Sequence, residues 1–347
     1  MNLRVDVIRA RLRVPFVSAW GSVADRPLLL VRLEDEDGHV GMGEAAPLAD
    51  YHGVNADDVL EALEACRHVL AGAPPDARTA EVLAEWRRMS ALPAVAAVDM
   101  ALWDLDSRRA GQPVWQRLGA RSGDPVGVNY TLAASDRAGA AAEAAAARAA
   151  GFRTVKVKVG IGDDAGRLAA VRAVLGPSTA IRLDANGAWS VDEATAALRA
   201  LAPVGIELCE EAVHGLEQTR TVASAVPQVP LALDETASAA GALDHRVCQA
   251  VCLKIAACGG ITGLLDAARA ARAAGYEVYL ASTLDGPLGI AAALHAAAAI
   301  RPDRACGLAT LGLFAGREDL LPPVGGRIAL APGNGLGDGL ARWYRPS

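Results

Sequence analysis

The chain changes its hydrophobic rhythm once. Up to about residue 110, residues 5–14, 28–34 and 40–44 alternate or run apolar with the period of strands, and Asp37-Gly38 marks a turn between the last two. Helical patterns follow over residues 56–71, 77–89 and 94–110, the last leading into Gly111-Gln112-Pro113. These elements predict an α+β unit, a small antiparallel sheet followed by helices. From residue 126 the rhythm becomes strand and helix in strict alternation. Strands are expected at residues 126–132, 154–159, 180–186, 206–212, 230–236, 251–256, 277–283 and 305–311, with Ala-rich amphipathic helices between them. One helix opens with the capping box Ser190-Val-Asp-Glu193.

Eight strands joined by helical crossovers predict a (β/α) barrel of the TIM type. An open doubly wound sheet would also alternate, but no G-x-G-x-x-G follows the first strand. The chain therefore divides into a capping domain over residues 1–110, a barrel over 111–315 and a Gly/Pro-rich tail over 316–347. The tail carries one strand-like piece, 327–331, and is expected to return to the capping domain.

Length and composition agree with this division. The 347 residues suffice for about two domains. With 52% hydrophobic and 21% charged residues, the chain is globular rather than disordered. A net charge of -6 argues against nucleic acid or an anionic membrane surface as partner. No apolar run reaches the roughly 18 residues of a membrane span, and no signal-peptide block stands at the N-terminus. Cys66, Cys209, Cys248, Cys252, Cys258 and Cys306 form no CxxC pair or zinc spacing, and they read as small buried hydrophobes in a reducing compartment. A soluble cytoplasmic protein is expected. Its oligomeric state is not legible, because no repeat specifies an interface.

Composition also singles out the lysines. Of the 34 basic residues only Lys156, Lys158 and Lys254 are lysines; the other 31 are arginines. A lysine can be tuned to lose its proton, whereas an arginine stays charged. All three lie in expected barrel strands, where buried charge needs a reason. Lys156 and Lys158 share a face of strand two, and Lys254 lies on strand six, half a barrel away. Between them Asp184, Glu210 and Asp234 end strands three, four and five, at the barrel face where catalytic groups of this fold gather. Three converging carboxylates would repel one another, and a hard divalent cation removes the conflict: Mg²⁺, with Mn²⁺ as the alternative. A carboxylate substrate held there would meet one ammonium on each face, with a lysine as base. Glu211 and Glu235 point the opposite way from their neighbours, toward supporting roles. His52, His214 and His295 have no ligand spacing, and Trp103, Trp115 and Trp189 read as packing.

The combination Lys156-Val-Lys158, Asp184-Ala-Asn186-Gly, Glu210-Glu211, Asp234-Glu235-Thr and Lys254 before Gly259-Gly260 resembles the enolase superfamily, in its muconate-lactonizing-enzyme subgroup. The resemblance implies that Asp184, Glu210 and Asp234 bind Mg²⁺ and that Lys158 removes a proton α to a carboxylate. It implies that Lys254 serves from the opposite face and Lys156 near the bound carboxylate. Asn186, Glu211, Glu235, Ser282 and Asp285 would support the site or meet the substrate. Cap segments 16–26 and 47–55 would shape specificity. Ser282-Thr-Leu-Asp285-Gly-Pro-Leu-Gly-Ile290 and Cys306-Gly-Leu-Ala-Thr-Leu311 are most similar to the o-succinylbenzoate synthases. Those lyases of menaquinone biosynthesis dehydrate 2-succinyl-6-hydroxy-2,4-cyclohexadiene-1-carboxylate. Dipeptide epimerases of the subgroup usually carry Asp-x-Asp where this chain has Ala309-Thr310-Leu311. The alternatives within the subgroup are an N-acyl amino acid racemase, a dipeptide epimerase and, below them, a muconate cycloisomerase. A Schiff-base aldolase using Lys254 is the rival from another class.

Overall fold

The computed structural model describes residues 1–18, 21–72, 84–133 and 136–345. The cap begins with an antiparallel sheet of three strands, β1 (Asn2–Ser18), β2 (Gly21–Glu34) and β3 (Val40–Ala45), in that spatial order. Short helix α1 (Ala49–His52) follows, then α2 (Ala56–Gly72) and α3 (Leu92–Arg109). The expected helix over 77–89 lies partly outside the described residues; 84–89 are helical.

The first two strands are longer than the hydrophobic pattern suggested. Pairing resumes after a register shift between Arg11 and Phe16, with Phe16 opposite Val23 and Ser18 opposite Gly21. Cross-strand hydrogen bonding thus carries the hairpin beyond its buried part, over residues expected to form a loop. Strand β3 packs on α3 so closely that Cβ atoms on Gly41 and Gly43 would stand 2.2 Å from Ala101 O and 2.0 Å from Ala97 O. Only glycine permits that approach.

After α4 (Val114–Arg117) come β4 (Val126–Gly127), β5 (Tyr130–Leu132), α5 (Arg137–Ala149), β6 (Thr154–Lys158), α6 (Asp164–Leu175) and β7 (Ala180–Asp184). Then follow α7 (Val191–Leu201), β8 (Ile206–Glu210), α8 (Leu216–Ala225), β9 (Leu231–Leu233), β10 (Ala250–Lys254) and α9 (Ile255–Cys258). Last come α10 (Ile261–Ala273), β11 (Glu277–Ala281), α11 (Pro287–Ile300) and β12 (Arg327–Ile328). Strands β5 to β11 form one parallel sheet in sequence order. Val155, Val157, Ile181, Leu183, Val251 and Leu253 are buried in the main core with the apolar stripes of the helices around them. Leu208, Ala232, Ala250, Cys252, Tyr279 and Ala281 form a separate cluster. This is the alternation of a barrel wall, with odd and even positions facing opposite layers. No helix among the described residues is long and apolar enough to cross a membrane.

Three expected strands are corrected by the structure. The stretch 305–311 forms no regular strand; single parallel bridges, Val128 to Cys306 and Ala281 to Gly307, close the ring, and the chain then turns into a 3₁₀ segment, Leu311–Leu313. The stretch 126–132 splits, because β4 pairs antiparallel with β12 while β5 joins the barrel. The tail strand is accordingly two residues long, Arg327–Ile328, and pairs with β4 rather than with the cap. The tail meets the cap farther along, where Leu336 N donates to Asp104 Oδ1 at 2.7 Å and Tyr344 hydroxyl donates to Glu44.

Glu44 is buried where β3, the tail and the N-terminus of α11 meet, and it also accepts from Gly286 N at 2.7 Å. Burial, reinforced by Asp285, pushes its carboxyl up to about 8 from 4.5. A folded-state value above the unfolded one stabilises fully at acid pH and is lost as pH rises through the folded value. The melting temperature is therefore expected to fall between about pH 5 and about pH 8, by up to about 1.4 kcal/mol of stability per unit. Glu44→Gln should flatten that slope in melting scans; a slope unchanged in the variant would refute the assignment. In urea denaturation, Gly43→Ala should lose about 1–3 kcal/mol or more, because α3 must move away from β3.

Candidate active site

The same parity positions each charged side chain at the barrel mouth. The strands β6 (TVKVK), β7 (AIRLD), β8 (IELCE) and β10 (AVCLK) each end on an ionisable residue, and those last residues are all buried. Register then sets them beside one another: Lys158 pairs with Asp184, and Asp184 with Glu210. Asp234 follows β9, and Lys254 ends β10.

Lys158 Nζ donates to Asp184 Oδ2 and to Asn186 Oδ1, both at 2.6 Å. Lys156 bridges two strands, with Asp184 Oδ2 at 2.7 Å and Glu210 as its second partner. On the other side of the ring Lys254 Nζ lies 2.7 Å from Asp234 Oδ1. Each ammonium is also set against a neighbour on its open side. Lys158 Nζ is 5.2 Å from the Phe16 ring centroid, and Lys254 Nζ is 3.9 Å from that of Tyr51. Tyr51 hydroxyl donates to Asp234 Oδ1 at 3.1 Å. These are cation–π contacts supplied by the cap.

Asn186 adopts φ 45°, a left-handed conformation that Asn tolerates. There its side chain accepts from Lys158 and donates to Glu235 Oε1 at 2.9 Å. Glu211 also has positive φ, 39°, and its carboxylate turns to the β8–β9 connections. It accepts from Asp234 N at 2.8 Å and from Thr236, with His214 Nδ1 at 3.0 Å. Glu211 therefore braces the turn that carries Asp234.

A cavity of about 110 Å³ opens above these groups. Lys156, Lys158, Asp184, Asn186, Asp234, Glu235 and Lys254 border it on the barrel side, and Ser282 lies in its wall. Glu210 is buried behind Lys156. Asp285 does not belong to the lining: it is 1% exposed and accepts from Thr283 Oγ1 at 2.8 Å. It supports Thr283 from behind the wall, beyond the end of β11 at Ala281, where Leu284 has φ 60°. Phe16 and Tyr51 escaped the sequence reading as single residues, although the cap segments that hold them were expected at the site. Their signal is rarity: the chain has only three Phe and five Tyr.

The electrostatics are those of acids in excess. Burial alone would lower Lys156 and Lys254, but Asp184 and Glu210 hold the first above its ordinary value, and Asp234 and Glu235 the second. Burial would raise Asp184, yet Lys156 and Lys158 depress it. Glu235 is pushed up to about 8 by burial and by Asp234, and among the described residues its Oε2 has no hydrogen-bond partner. Three hard carboxylate donors on adjacent strands, with one oxygen of a buried acid beside them left without a hydrogen bond, fit a divalent oxygen-seeking cation. Such a cation would also remove the cause that keeps the lysines charged. A second acidic group, Asp35, Asp37 and His39, is explained by its own turn. Asp35 accepts there from the backbone N of Asp37 and His39 and pairs with Arg109.

Residues 2–119 match the family described as mandelate racemase / muconate lactonizing enzyme, N-terminal domain, and residues 139–342 match enolase C-terminal domain-like. The L-Ala-D/L-Glu epimerase of Bacillus subtilis is 33% identical over 317 residues, 87% of this chain and 85% of that protein. The N-succinyl-L-Arg/Lys racemase of Bacillus cereus is 29% identical over 309 residues, 85% and 83% of the two chains. The o-succinylbenzoate synthase of Mycobacterium bovis is 39% identical over 222 residues, 60% and 65% of the two. Among solved structures, the dipeptide epimerase of Enterococcus faecalis complexed with Mg and L-Leu-L-Tyr superimposes with a TM-score of 0.87. It is 28% identical and covers 97% of this chain and 98% of its own. The chain belongs to the enolase superfamily, in its mandelate racemase/muconate lactonizing enzyme family.

Proposed function

We propose that this chain is a Mg²⁺-dependent enzyme that removes the proton α to a carboxylate and returns one to the opposite face, acting on an N-acylated amino acid. One observation carries the reading: two buried lysines on opposed strands border a single cavity, with carboxylates of the intervening strands between them. Asp184, Glu210 and Asp234 would hold the cation. When bound, it supplies Lewis-acid stabilisation of the charge that builds on the substrate carboxylate.

The chain's own groups do the proton work. Lys158 takes the α-proton from one face, oriented by Asp184 and Asn186. Lys254, fixed between Asp234 and the Tyr51 ring, delivers a proton to the other. In the reverse direction the two exchange roles. Lys156 is tied to both Asp184 and Glu210, so it holds their geometry and supplies positive charge rather than a lone pair.

The far wall bears on the substrate. Ser282 and Thr310 hydroxyls meet at 2.9 Å, and Phe16, Val23, Leu284 and Leu313 supply apolar surface. The acids of the lining, Asp184, Asp234 and Glu235, all lie on the lysine side. Among the described residues a free substrate ammonium finds no carboxylate on the far wall, whereas an acylated nitrogen finds hydroxyls. The same uncharged wall supports a second reading, o-succinylbenzoate synthase, along with the 39% identity to the M. bovis enzyme. In that reaction Lys158 would remove the proton and pass it to the departing hydroxyl, which leaves as water, while Lys254 stays cationic.

One experiment separates the readings. The protein is incubated in D₂O with N-succinyl amino acids of both configurations, with dipeptides and with the cyclohexadiene carboxylate. Lys158→Ala and Lys254→Ala should each lower turnover by about 10²–10⁴-fold with the fold intact. Each should still exchange the α-proton of the enantiomer that faces the remaining lysine. EDTA should abolish turnover and Mg²⁺ restore it. Turnover of the cyclohexadiene acid alone would select the synthase. Full activity in Lys158→Ala would end both readings, and borohydride trapping on Lys254 would select the aldolase.

A further inference from the structure

Arg26 on β2 is 1% exposed, outside the cavity, and buried where cap and barrel meet. Its guanidinium reaches three backbone carbonyls. One terminal nitrogen donates to Pro47 O; the other donates to Ala46 O at 3.0 Å and to Thr283 O at 2.9 Å. The first two belong to the cap segment that leads to Leu48 and Tyr51. The third belongs to the barrel segment Ser282, Thr283, Leu284. All five of these residues line the cavity.

We propose that Arg26 is a positioning residue for substrate recognition: its guanidinium ties the cap wall to the barrel wall from behind and so fixes the spacing between them. The proposal rests on the cavity being the substrate site. The bonding pattern explains why the tie matters at Leu284. That residue is held at φ 60°, which a branched side chain keeps only when its surroundings impose it. The peptide between Thr283 and Leu284 is gripped at both ends, its carbonyl by Arg26 and its N–H by Ser282 Oγ at 3.3 Å. Glu44, through Gly286 N, and Asp285, through Thr283, fix the rest of the loop. Burial pulls the guanidinium down to about 10 although Asp285 and Glu44 both oppose that shift.

The arginine fork is needed for this. Lysine is a point charge and cannot span carbonyls of two segments, and an apolar residue would fill the space without fixing either wall.

The test compares Arg26→Met and Arg26→Lys with Leu63→Ala, a control in the cap core remote from the cavity lining. Backbone amide exchange is followed by mass spectrometry over residues 46–53 and 281–287, with kcat and KM measured on the best substrate found. Both arginine variants should raise exchange in the two segments together by about 10-fold, with β6 to β8 unchanged. KM should rise about 10-fold with kcat within about 3-fold, since the lysines are untouched and only the walls that orient the substrate loosen. Leu63→Ala should lower the melting temperature yet leave both segments and KM as in the parent. Exchange rising in one segment or neither, the control reproducing the effect, or Arg26→Lys restoring the parent values would each overturn the proposal. If no substrate turns over, the exchange data still decide this point, and the failure then belongs to the functional reading. If Arg26→Met does not fold, Arg26→Lys carries the comparison.

Discussion

The barrel depends on placing charge of one sign beside charge of the other where water is scarce. A continuous chain runs from the barrel floor to its mouth: Glu277, Arg304, Glu207, Arg182, Glu210, Lys156, Asp184, Lys158, alternating in sign at every step. Arg182, Glu210, Lys156, Asp184 and Lys158 of this series are buried, and breaking a buried pair by removing one partner costs several kcal/mol. Arg182 is the hinge of this series. It is fully buried against the Tyr279 ring at 4.4 Å and reaches Glu207 on one side and Glu210 on the other. The mouth therefore inherits its geometry from the floor. Excess negative charge at the top is left for a cation to answer.

The chemistry was legible because parallel strands preserve parity. Alternation sets Lys156 and Lys158 on one face, standing at strand ends brings Asp184, Glu210 and Lys254 to the same mouth, and the structure finds them together there. Parity carries no information past the last paired residue; Asp285 stands near the site by resemblance alone, and the structure sets it behind the lining, against Thr283. The eighth strand was overread for a related reason: an apolar run at 305–311 satisfies the pattern, but pairing depends on what lies on both sides. There only Cys306 and Gly307 meet partners in β11 and at Val128. Phe16, Tyr51, Arg26 and Glu44 act across sequence separations that no local pattern encodes; Tyr344 meets Glu44 from 300 positions away.

Cap and barrel divide the work according to how firmly each can hold a side chain. The ionisable groups stand on strands fixed by ladder bonds and by one another, so their spacing is insensitive to the loops. The cap walls of the cavity, Phe16 and Val23 on the hairpin and Tyr51 on the short helix α1, meet a barrel loop that has no strand to steady it. Under the proposed function such a division would let one proton-transfer apparatus serve different carboxylates as the walls change. It also explains why relatives of this chain can share its barrel and differ in what they act on.

The scarcity of lysine follows from the same division. Arginine appears wherever a buried cation must grip several acceptors: Arg182 on two carboxylates and Ala305 O, Arg26 on three carbonyls, Arg167 on Lys158 O and Asp164. In each case the fork geometry serves and a permanent charge is an advantage. In the proposed reaction a permanent charge at Lys158 or Lys254 would be fatal to proton transfer. Lys156 transfers nothing in this scheme but must fit between Asp184 and Glu210 on neighbouring strands, a gap that suits a compact charge. In the proposed scheme this chain of 31 arginines thus keeps its three lysines around one cavity, where size or a removable proton decides the outcome.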